Sequence, residues 1–215
     1  MMRVPRSEVF DDIYFSAKDG LAETRHVFLD GNNLPEVWAG RDSFTICETG
    51  FGTGLNLLGV SKLWLDCDDP PKRLRYISFE KYPVDVEFIE DYLSQWDELS
   101  EVLTALLPVY AEGEFSLMDG VDVKLIFGDV NEKLPELDEL VDCWLLDGFK
   151  PSMNPDMWSD VVLDHVARLS CAGTSFATFT AAGAVRRGLQ ERGFDVRKVQ
   201  GFDRKREMLV GIYEG

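Results

Sequence analysis

The chain has 215 residues, 45% of them hydrophobic, and a formal net charge of −17. This length and apolar content suit one globular domain with a full core, while so acidic a chain is not a general nucleic-acid binder, because phosphate contacts need Lys and Arg. The sequence has no apolar run long enough to cross a bilayer, and its N-terminal residues MMRVPRSEVFDD lack the apolar region of a signal peptide, so we expect a cytoplasmic protein.

The first half of the chain alternates strand-like and helical patterns. The predicted strands are residues 44–48 and 74–80, and the predicted helices are residues 55–66, 84–96 and 98–107. Residues 1–40 do not fit this alternation. We therefore expect them to form an N-terminal extension that packs on a single domain of residues 41–215.

The second half continues the alternation but ends differently. Two alternating runs around Asp119-Gly120 predict a β-hairpin. The remaining predicted strands are residues 141–148, 174–181, 194–202 and 206–214, and the predicted helical segments are 131–137, 155–170 and 184–193. Pro155 suits the first turn of a helix and Gly193 suits a helix end. No helix separates the last two strands, so the last strand is predicted to be antiparallel to its neighbours.

This order of elements predicts an α/β fold. Strands that alternate with helices are joined by right-handed crossovers, which gives a mostly parallel sheet covered by helices on both faces. In such a sheet, ligands bind outside the carboxyl ends of the strands.

The segment ICETGFGTGLN, residues 46–56, places three glycines directly after the first predicted strand. Glycines let the backbone turn sharply and let a ligand approach it, and the next helix offers free N–H groups. The spacing is G-x-G-x-G, with Glu48 two residues ahead, whereas the NAD pattern is G-x-G-x-x-G. An acidic residue at that position favours a ligand with a cationic group, such as S-adenosylmethionine (SAM). The structural alternative is a plain tight turn.

Further acidic residues end the following predicted strands. Glu80 is placed to bind ribose hydroxyls, Asp129 to reach the adenine edge, and Asp147 to face the reaction centre. Each of them also suits a helix N-cap or a turn. Together with Glu48 they predict a pocket for a nucleoside that carries a positive charge.

Cysteines and histidines offer little further chemistry. None of Cys47, Cys67, Cys143 and Cys171 is spaced as a metal-ligand pair, and Cys47 and Cys143 lie in apolar runs that favour buried free thiols. His26 and His165 are interpreted as packing or surface residues. We expect no metal site.

Seven segments, in order along nearly the whole chain, closely resemble the methyltransferase domain of the tRNA 5-methylaminomethyl-2-thiouridine biosynthesis protein family. They are FDDIYFSAKDGLAETRHVFLDGNNLPEVW, ETGFGTGLN, ISFEKYP, FGDVNE, LLDGFKPSMNPDMW, TFTAAGAVRRGLQERGF and GFDRKREML. The resemblance implies a Rossmann-like class I methyltransferase fold, with a mostly parallel seven-stranded sheet and an antiparallel last strand.

The resemblance also implies an activity and partners. The family uses SAM to convert 5-aminomethyl-(2-thio)uridine to 5-methylaminomethyl-(2-thio)uridine at the wobble position of certain tRNAs. It is often fused to a C-terminal FAD-dependent oxidoreductase, so the implied partners are tRNA and such an oxidoreductase, as a domain or as a separate protein.

The resemblance further assigns roles to residues. At the methionine end of SAM it places Glu48, Gly50, Gly52, Gly54 and Asn56, with Phe51 and Thr53 of the same loop also binding the cofactor. At the ribose it places Glu80 and Lys81, and near adenine Asp129. Around the methyl-transfer site it places Asp147, Gly148, Phe149, Asn154 and Pro155, with Asp147, Asn154 and Tyr14 in catalysis. In the wall of the uridine pocket it places Phe10, Asp11, Asp12, Tyr14 and Phe15. Where the family often has Ala-Pro-Ala-Lys-Asn, this chain has Lys150-Pro151-Ser152-Met153-Asn154, so the lysine is displaced.

Charge and aromatic residues suggest how a nucleic acid is held. Residues 84–142 hold seventeen acidic and two basic side chains, whereas residues 183–215 hold eight basic and five acidic ones. The basic cluster predicted to contact tRNA phosphates is Arg186, Arg187, Arg204, Lys205 and Arg206. Tyr14 and Phe15 are candidates to stack on the base, and Phe149 for the apolar wall, while Trp158 is expected to pack in the core.

Three other functions remain as alternatives at this point. The acidic surface suits a methyltransferase that acts on a small molecule or a protein. A chain that binds SAM without turnover, as the partner of an FAD-dependent oxidoreductase, is the non-catalytic alternative. An NAD-dependent oxidoreductase is disfavoured by the glycine spacing.

Overall fold

A computed structural model of the chain describes residues 3–215. The strands are β1 (Arg6–Ser7), β2 (Asp12–Ile13), β3 (Ser43–Glu48), β4 (Arg73–Glu80), β5 (Glu114–Met118), β6 (Val121–Phe127), β7 (Val141–Leu145), β8 (Ser170–Thr178), β9 (Phe194–Gln200) and β10 (Glu207–Tyr213). The α-helices are α1 (Gly20–Thr24), α2 (Leu55–Asp66), α3 (Val86–Leu93), α4 (Ser100–Leu106), α5 (Val130–Lys133), α6 (Asp160–Arg168) and α7 (Gly183–Gln190). A π-helical turn, Arg25–Leu29, extends α1.

Within residues 3–215 the main sheet has eight strands, in the order β5-β6-β4-β3-β7-β8-β10-β9. β10 is antiparallel to both of its neighbours, as the sequence predicted. β9 therefore runs in the same direction as the parallel strands. The expected count of seven strands is wrong, because β5 pairs with β6 as an additional antiparallel edge strand. Gly120 has a φ of 84° and makes the tight turn of that hairpin.

Helices cover both faces of the sheet, as expected for an α/β fold. Alternate side chains of a strand point to opposite faces, so Ile46 of β3 packs in one apolar cluster and Cys47 in the other. The first cluster contains α2, α3 and α4, and the second contains α5, α6 and α7. The parallel strands are therefore buried on both faces, which explains their nearly continuous apolar sequences.

Two helices are shorter than the sequence predicts, and for one of them the reason is its N-cap. Pro155 starts a 3₁₀ turn, Pro155–Trp158, and α6 begins only after Ser159. The Ser159 side chain accepts a hydrogen bond from the Val162 N–H at 3.2 Å, as a serine N-cap does. The predicted helix 84–96 is shorter and spans Val86–Leu93.

The first forty residues supply a large part of one core. Phe15 packs edge-on against Trp96 at 5.3 Å, and Trp38 packs edge-on against Phe44 at 6.0 Å. Phe15, Phe44 and Trp38 belong to the apolar cluster that contains α2. A division of the chain at residue 40 stays a prediction.

Remaining sequence expectations concern thiols and membranes. All four cysteines are free, and Cys47 and Cys143 are buried, as predicted. Over residues 3–215, no helix has the length and apolar character that a membrane span needs. The same residues show no cluster of three or more His, Cys, Asp or Glu side chains suited to hold a metal ion.

Candidate functional site

A cavity of about 280 Å³ lies at the carboxyl ends of the parallel strands, where the topology of the sheet predicts a ligand site. Its walls come from the ends of β3, β4, β6, β7 and β8 and from the N-terminal segment. The volume is near the lower end of small-molecule sites, which run from about 300 to 1,000 Å³.

The glycine loop after β3 forms one wall. Gly52 and Gly54 have φ angles of 57° and 83°, which favour glycine. A Cβ at Gly52 would lie 3.1 Å from the Tyr14 ring, so glycine at this position lets Tyr14 pack closely against the loop. The loop is held by Phe51, whose ring is buried and stacks on Tyr110 at 5.6 Å.

The Glu80 carboxylate, at the end of β4, binds the backbone of the same loop. It accepts hydrogen bonds from the Gly52 N–H at 2.8 Å and the Tyr82 N–H at 2.7 Å. Burial raises the pKa of Glu80 above its usual value. The carboxylate faces the cavity and has further lone pairs, so it is suited to accept hydrogen bonds from hydroxyl groups.

Lys81 and Asp129 form an ion pair beside Glu80, with Nζ and Oδ2 2.7 Å apart. Asp129 also caps α5, because its Oδ1 accepts the Asn131 N–H at 2.9 Å. The hydrogen bond from Lys81 lowers the pKa of Asp129, so this carboxylate stays ionised. Asp129 therefore has a structural role in addition to its place in the cavity wall.

Asn56 links two carboxyl groups at the centre of the site. Its Nδ2 donates to Glu48 Oε1 and to Asp147 Oδ2, both at 2.8 Å. Its Oδ1 accepts the Thr24 hydroxyl at 2.8 Å. Ser78 Oγ donates to Glu48 Oε2 at 2.7 Å, and the Gly148 N–H donates to Asp147 Oδ1 at 2.8 Å.

These two carboxyl groups have unusual protonation. Burial, reinforced by the charge of Asp147, raises the pKa of Glu48 to about 8. Burial raises the pKa of Asp147 to about 7. At neutral pH Glu48 is therefore mostly protonated, whereas Asp147, with a pKa of about 7, is partly ionised.

Glu48 lies beneath the cavity and does not line it. Its side chain is fully buried, and it reaches the cavity only through Asn56. The structure thus does not place Glu48 at the cavity surface, and its predicted contact with a cationic ligand is not supported by its position.

Aromatic rings form the outer wall. Phe10 stacks on Phe149 at 4.7 Å, and Tyr14 meets Phe149 edge-on at 5.3 Å. Tyr82 approaches Phe10 edge-on at 5.7 Å. Phe15 also borders the cavity, but it is buried against Trp96, so its predicted role in stacking on a base is not supported by its position.

Trp158 supports this wall from outside the cavity. Its Nε1 donates to the Phe149 carbonyl at 3.1 Å, and its ring packs edge-on against Phe179 at 6.3 Å. The expectation that Trp158 packs in the core agrees with its place against the cluster of α6 and α7.

Lys150 ties the aromatic wall to the N-terminal segment. Its Nζ lies 3.0 Å from Asp12 Oδ1, and the Asp12 side chain is nearly buried. Both side chains line the cavity. The lysine that is displaced in the sequence therefore still reaches the site.

The basic cluster is divided by the structure. Lys205 lines the cavity and pairs with Glu23 at 2.9 Å, whereas the four arginines lie outside it. Arg186 and Arg187 are on α7, and Arg204 and Arg206 are on the turn between β9 and β10. α7 starts beyond the carboxyl end of β8 and the turn follows β9, so all four are at the same edge of the sheet as the cavity.

Taken together, the predicted site residues fall into two groups. Those that line the cavity are Phe10, Asp12, Tyr14, Phe15, Gly50, Phe51, Gly52, Thr53, Asn56, Glu80, Lys81, Asp129, Asp147, Gly148, Phe149, Asn154 and Lys205. Those that do not are Asp11, Glu48, Gly54, Pro155, Arg186, Arg187, Arg204 and Arg206. Asp11 is exposed and bound to Arg6, and Gly54 is needed for the start of α2 rather than for the cavity surface.

Several cavity residues were missed by the sequence analysis. They are Glu23, Thr49, Tyr82, Asn131, Met157 and Phe179. Tyr82, Asn131 and Met157 stand within three residues of predicted site residues, and proximity was a usable signal. Glu23 had no such signal, because it is brought to the site by the packing of α1 on α2.

Comparison with known proteins shows the family to which the chain belongs. Residues 94–214 match a family described as S-adenosyl-L-methionine-dependent methyltransferase. The chain is 48% identical, over 96% of its length, to the tRNA 5-methylaminomethyl-2-thiouridine biosynthesis bifunctional protein MnmC of Marinomonas sp. strain MWYL1, and covers 32% of that protein. It is 46% identical, over 97% of its length, to the protein of the same name from Methylobacillus flagellatus, and covers 34% of it.

A solved structure shares the fold. The crystal structure of MNMC2 from Aquifex aeolicus superimposes with a TM-score of 0.79 at 23% sequence identity, over 98% of this chain and 67% of that one. The chain spans about a third of the length of the two curated relatives described above.

Proposed function

The chain belongs to the S-adenosyl-L-methionine-dependent methyltransferase family, and we propose that it methylates the aminomethyl nitrogen of 5-aminomethyl-(2-thio)uridine at the wobble position of tRNA. The observation that carries this proposal is the identity of 46–48% over nearly the whole chain to two proteins named for the biosynthesis of that nucleoside. When bound, SAM supplies the electrophilic methyl group.

The residues of the cavity fit a donor of this kind. Gly50, Gly52 and Thr53 of the glycine loop line the cavity, so a donor there meets mostly backbone and small side chains. Glu80 is placed to accept hydrogen bonds from two ribose hydroxyls, and Phe79 and Val130 add apolar surface for a base. These groups lie on the β4 and β6 side of the glycine loop, which makes it the nucleoside side.

The aromatic wall provides a place for the uridine. Phe10, Tyr14, Tyr82 and Phe149 offer ring surface on which a base extruded from the anticodon loop can stack. The wall is next to Asp147, because Phe149 follows it by two residues. Asp147 and the aromatic wall line the same cavity, so we propose that a base stacked on the wall places its 5-substituent near Asp147.

Asp147 is suited to orient the amine and to take up its proton. An alkylamine is mostly protonated at neutral pH, with a reference pKa of about 10.4, and must lose a proton before it attacks. A carboxylate whose pKa is about 7 accepts a proton efficiently near neutral pH. Asn56 and the Gly148 N–H fix the carboxylate in place, and such alignment of reactants contributes roughly 7–11 kcal/mol in favourable cases.

The relatives also suggest an additional partner. They are bifunctional proteins about three times as long as this chain. We infer that the chain works together with an FAD-dependent oxidoreductase, as a fused domain or as a separate protein, which produces the amine that it methylates.

Methyl transfer to hypomodified tRNA tests the proposal. The purified chain is incubated with SAM that carries a labelled methyl group and with tRNA that carries 5-aminomethyl-2-thiouridine. We expect label in that nucleoside, and none in tRNA that lacks the aminomethyl group. Label in bulk protein or metabolites but not in tRNA would favour the small-molecule or protein methyltransferase instead.

A further inference from the structure

Three lysines line the cavity, and each is paired with a carboxylate. Lys81 pairs with Asp129 on the nucleoside side, and Lys150 pairs with Asp12 at the aromatic wall. Lys205 pairs with Glu23 on the other side of the glycine loop, which is the side of β7 and β8. The location of this third pair differs from that of the other two, so it calls for a different function.

The pair of Glu23 and Lys205 is built into the site from several directions. Glu23 is only 14% exposed at its side chain, and its Oε2 accepts the Ser16 N–H at 2.8 Å. The Lys205 ammonium lies 4.5 Å from the centre of the Phe179 ring, which also lines the cavity. The two charges are thus held in place, although 182 residues separate them in the sequence.

The pair is also close to the centre of the site. Thr24, the next residue after Glu23, donates its hydroxyl to Asn56, and Asn56 donates to Asp147. A ligand whose nucleoside lies beside Glu80 and whose reacting atom faces Asp147 therefore extends its remaining part toward Glu23 and Lys205.

We propose that Lys205 and Glu23 bind the amino-acid end of the methyl donor, with the Lys205 ammonium on the α-carboxylate and the Glu23 carboxylate on the α-ammonium. A lysine ammonium has three N–H donors, one of which serves Glu23, and a carboxylate has about four acceptor positions, two of which are used. A zwitterion brings one charge of each sign, which matches the pair without leaving a charge uncompensated.

This inference rests on the proposed use of SAM and revises two expectations. It assigns the methionine end to Glu23 and Lys205 in place of the buried Glu48. It also removes Lys205 from the cluster predicted to contact tRNA. The donor then links α1 to the turn between β9 and β10, which carries Arg204 and Arg206.

Two nucleosides that differ only at the amino-acid end test the inference. S-adenosylhomocysteine has that end, and 5′-methylthioadenosine lacks it, and both have an uncharged sulfur. Their dissociation constants are measured by calorimetry for the parent chain and for Lys205→Met, Glu23→Gln and Lys198→Met. Lys198 is the matched control, because it is a lysine of the same hairpin in an ion pair of 2.7 Å with Glu207 but does not line the cavity.

We expect Lys205→Met to weaken binding of S-adenosylhomocysteine at least tenfold, since a hydrogen bond between charged groups is lost, and to change binding of 5′-methylthioadenosine less than threefold. Glu23→Gln should act in the same direction, and Lys198→Met should change neither constant. Equal weakening of both nucleosides by Lys205→Met, or an unchanged affinity for S-adenosylhomocysteine, would overturn the inference and leave the donor site intact. If the parent chain binds neither nucleoside, the donor site itself is refuted, and the inference with it.

Discussion

The carboxyl groups of Glu48 and Asp147, at the ends of neighbouring strands, differ in their exposure to the cavity, although Asn56 links them. Glu48 is sealed below the cavity and Asp147 faces it, and one amide donates to both. Burial raises both pKa values, and the proton on Glu48 at neutral pH removes a negative charge from beside Asp147. A buried network of this kind keeps Asp147 in one orientation and leaves it able to ionise.

Asp147→Ala tests the chemical role at this scale. We expect turnover to fall at least about 10²-fold, because the acceptor for the amine proton is lost, while the affinity for SAM changes no more than about threefold. Single-turnover methyl transfer and calorimetry measure the two quantities. Asp138→Ala, at a carboxylate with 96% of its side chain exposed, is the control and should keep full turnover. Unchanged turnover of Asp147→Ala would remove Asp147 from the mechanism.

Glu48→Gln tests the protonation of the buried acid through stability. Folding raises the pKa of Glu48 to about 8, so the folded state holds the proton more tightly than the unfolded state does. The resulting stabilisation is present below the unfolded pKa and is lost as pH rises through the folded pKa. Between pH 5 and 9 the parent chain should therefore lose about 2 kcal/mol or more of its free energy of unfolding relative to Glu48→Gln.

Urea unfolding at pH 5, 7 and 9 measures this difference. Glu101→Gln, at an exposed residue of α4, controls for the change of side chain. If parent and Glu48→Gln lose stability in parallel as the pH rises, then Glu48 is ionised in the folded protein, and the assigned protonation is wrong.

At the scale of elements, the loop between β3 and α2 depends on glycine at the helix start. Gly54 has a φ of 83°, and a Cβ there would lie 2.6 Å from the Phe51 ring. Phe51 is buried against Tyr110 and cannot move aside without disturbing the core. The glycine at this position therefore makes room for the Phe51 ring, whereas Gly52 makes room for the Tyr14 ring.

Gly54→Ala compared with Gly173→Ala separates packing from backbone strain. Gly173 has a φ of 96° with nothing within 4 Å of its Cβ position, so alanine there meets only the backbone penalty of roughly 1–2 kcal/mol. Gly54→Ala should cost about 1–3 kcal/mol more, because it also overpacks the Phe51 ring. Urea unfolding of both variants gives the two values. Equal losses of unfolding free energy would show that the Phe51 ring moves aside without destabilising the protein.

For the whole molecule, the strand order separates the charges. The acidic residues of 84–142 lie mostly on α3, α4 and α5, on the β5–β6 hairpin and in the segments between them, whereas the basic residues of 183–215 lie on α7 and on the β9–β10 hairpin at the other edge of the sheet. A polyanion is therefore repelled from one end of the sheet and attracted to the other. For the tRNA substrate that we propose, this distribution offers a basic edge to approach despite the net charge of −17.

Reversal of charge at the basic edge tests this orientation. The double variant Arg204→Glu and Arg206→Glu should weaken tRNA binding at least tenfold and lower the salt slope by about 2, while SAM affinity is retained. The control double variant, Lys72→Glu with Arg73→Glu, makes the same change of net charge at the start of β4, which is the end of that strand away from the cavity. It should change tRNA affinity less than threefold. Equal effects of both double variants would show that only net charge matters, and loss of SAM binding would show that the turn is structural.

The sequence by itself determined the local and periodic features. The helix Leu55–Asp66 has the predicted bounds, and the glycine spacing with acids at strand ends is enough to locate the site, because such features depend on neighbours in the chain. Even the antiparallel last strand followed from the absence of a helix before it. The eighth strand was already present as a hairpin signal at Asp119-Gly120, but pattern alone does not tell whether a hairpin joins the main sheet.

Only the tertiary structure decided which side chains face the cavity and which charges they meet. Glu48 has the position of a ligand residue in the sequence, yet the depth of β3 buries it beneath Asn56. Nothing local in the sequence pairs Glu23 with Lys205, and they meet only because α1 packs on α2 beside the last hairpin. Burial and long-range pairing are properties of the packed chain, since they depend on residues that the backbone brings together from distant parts of the sequence.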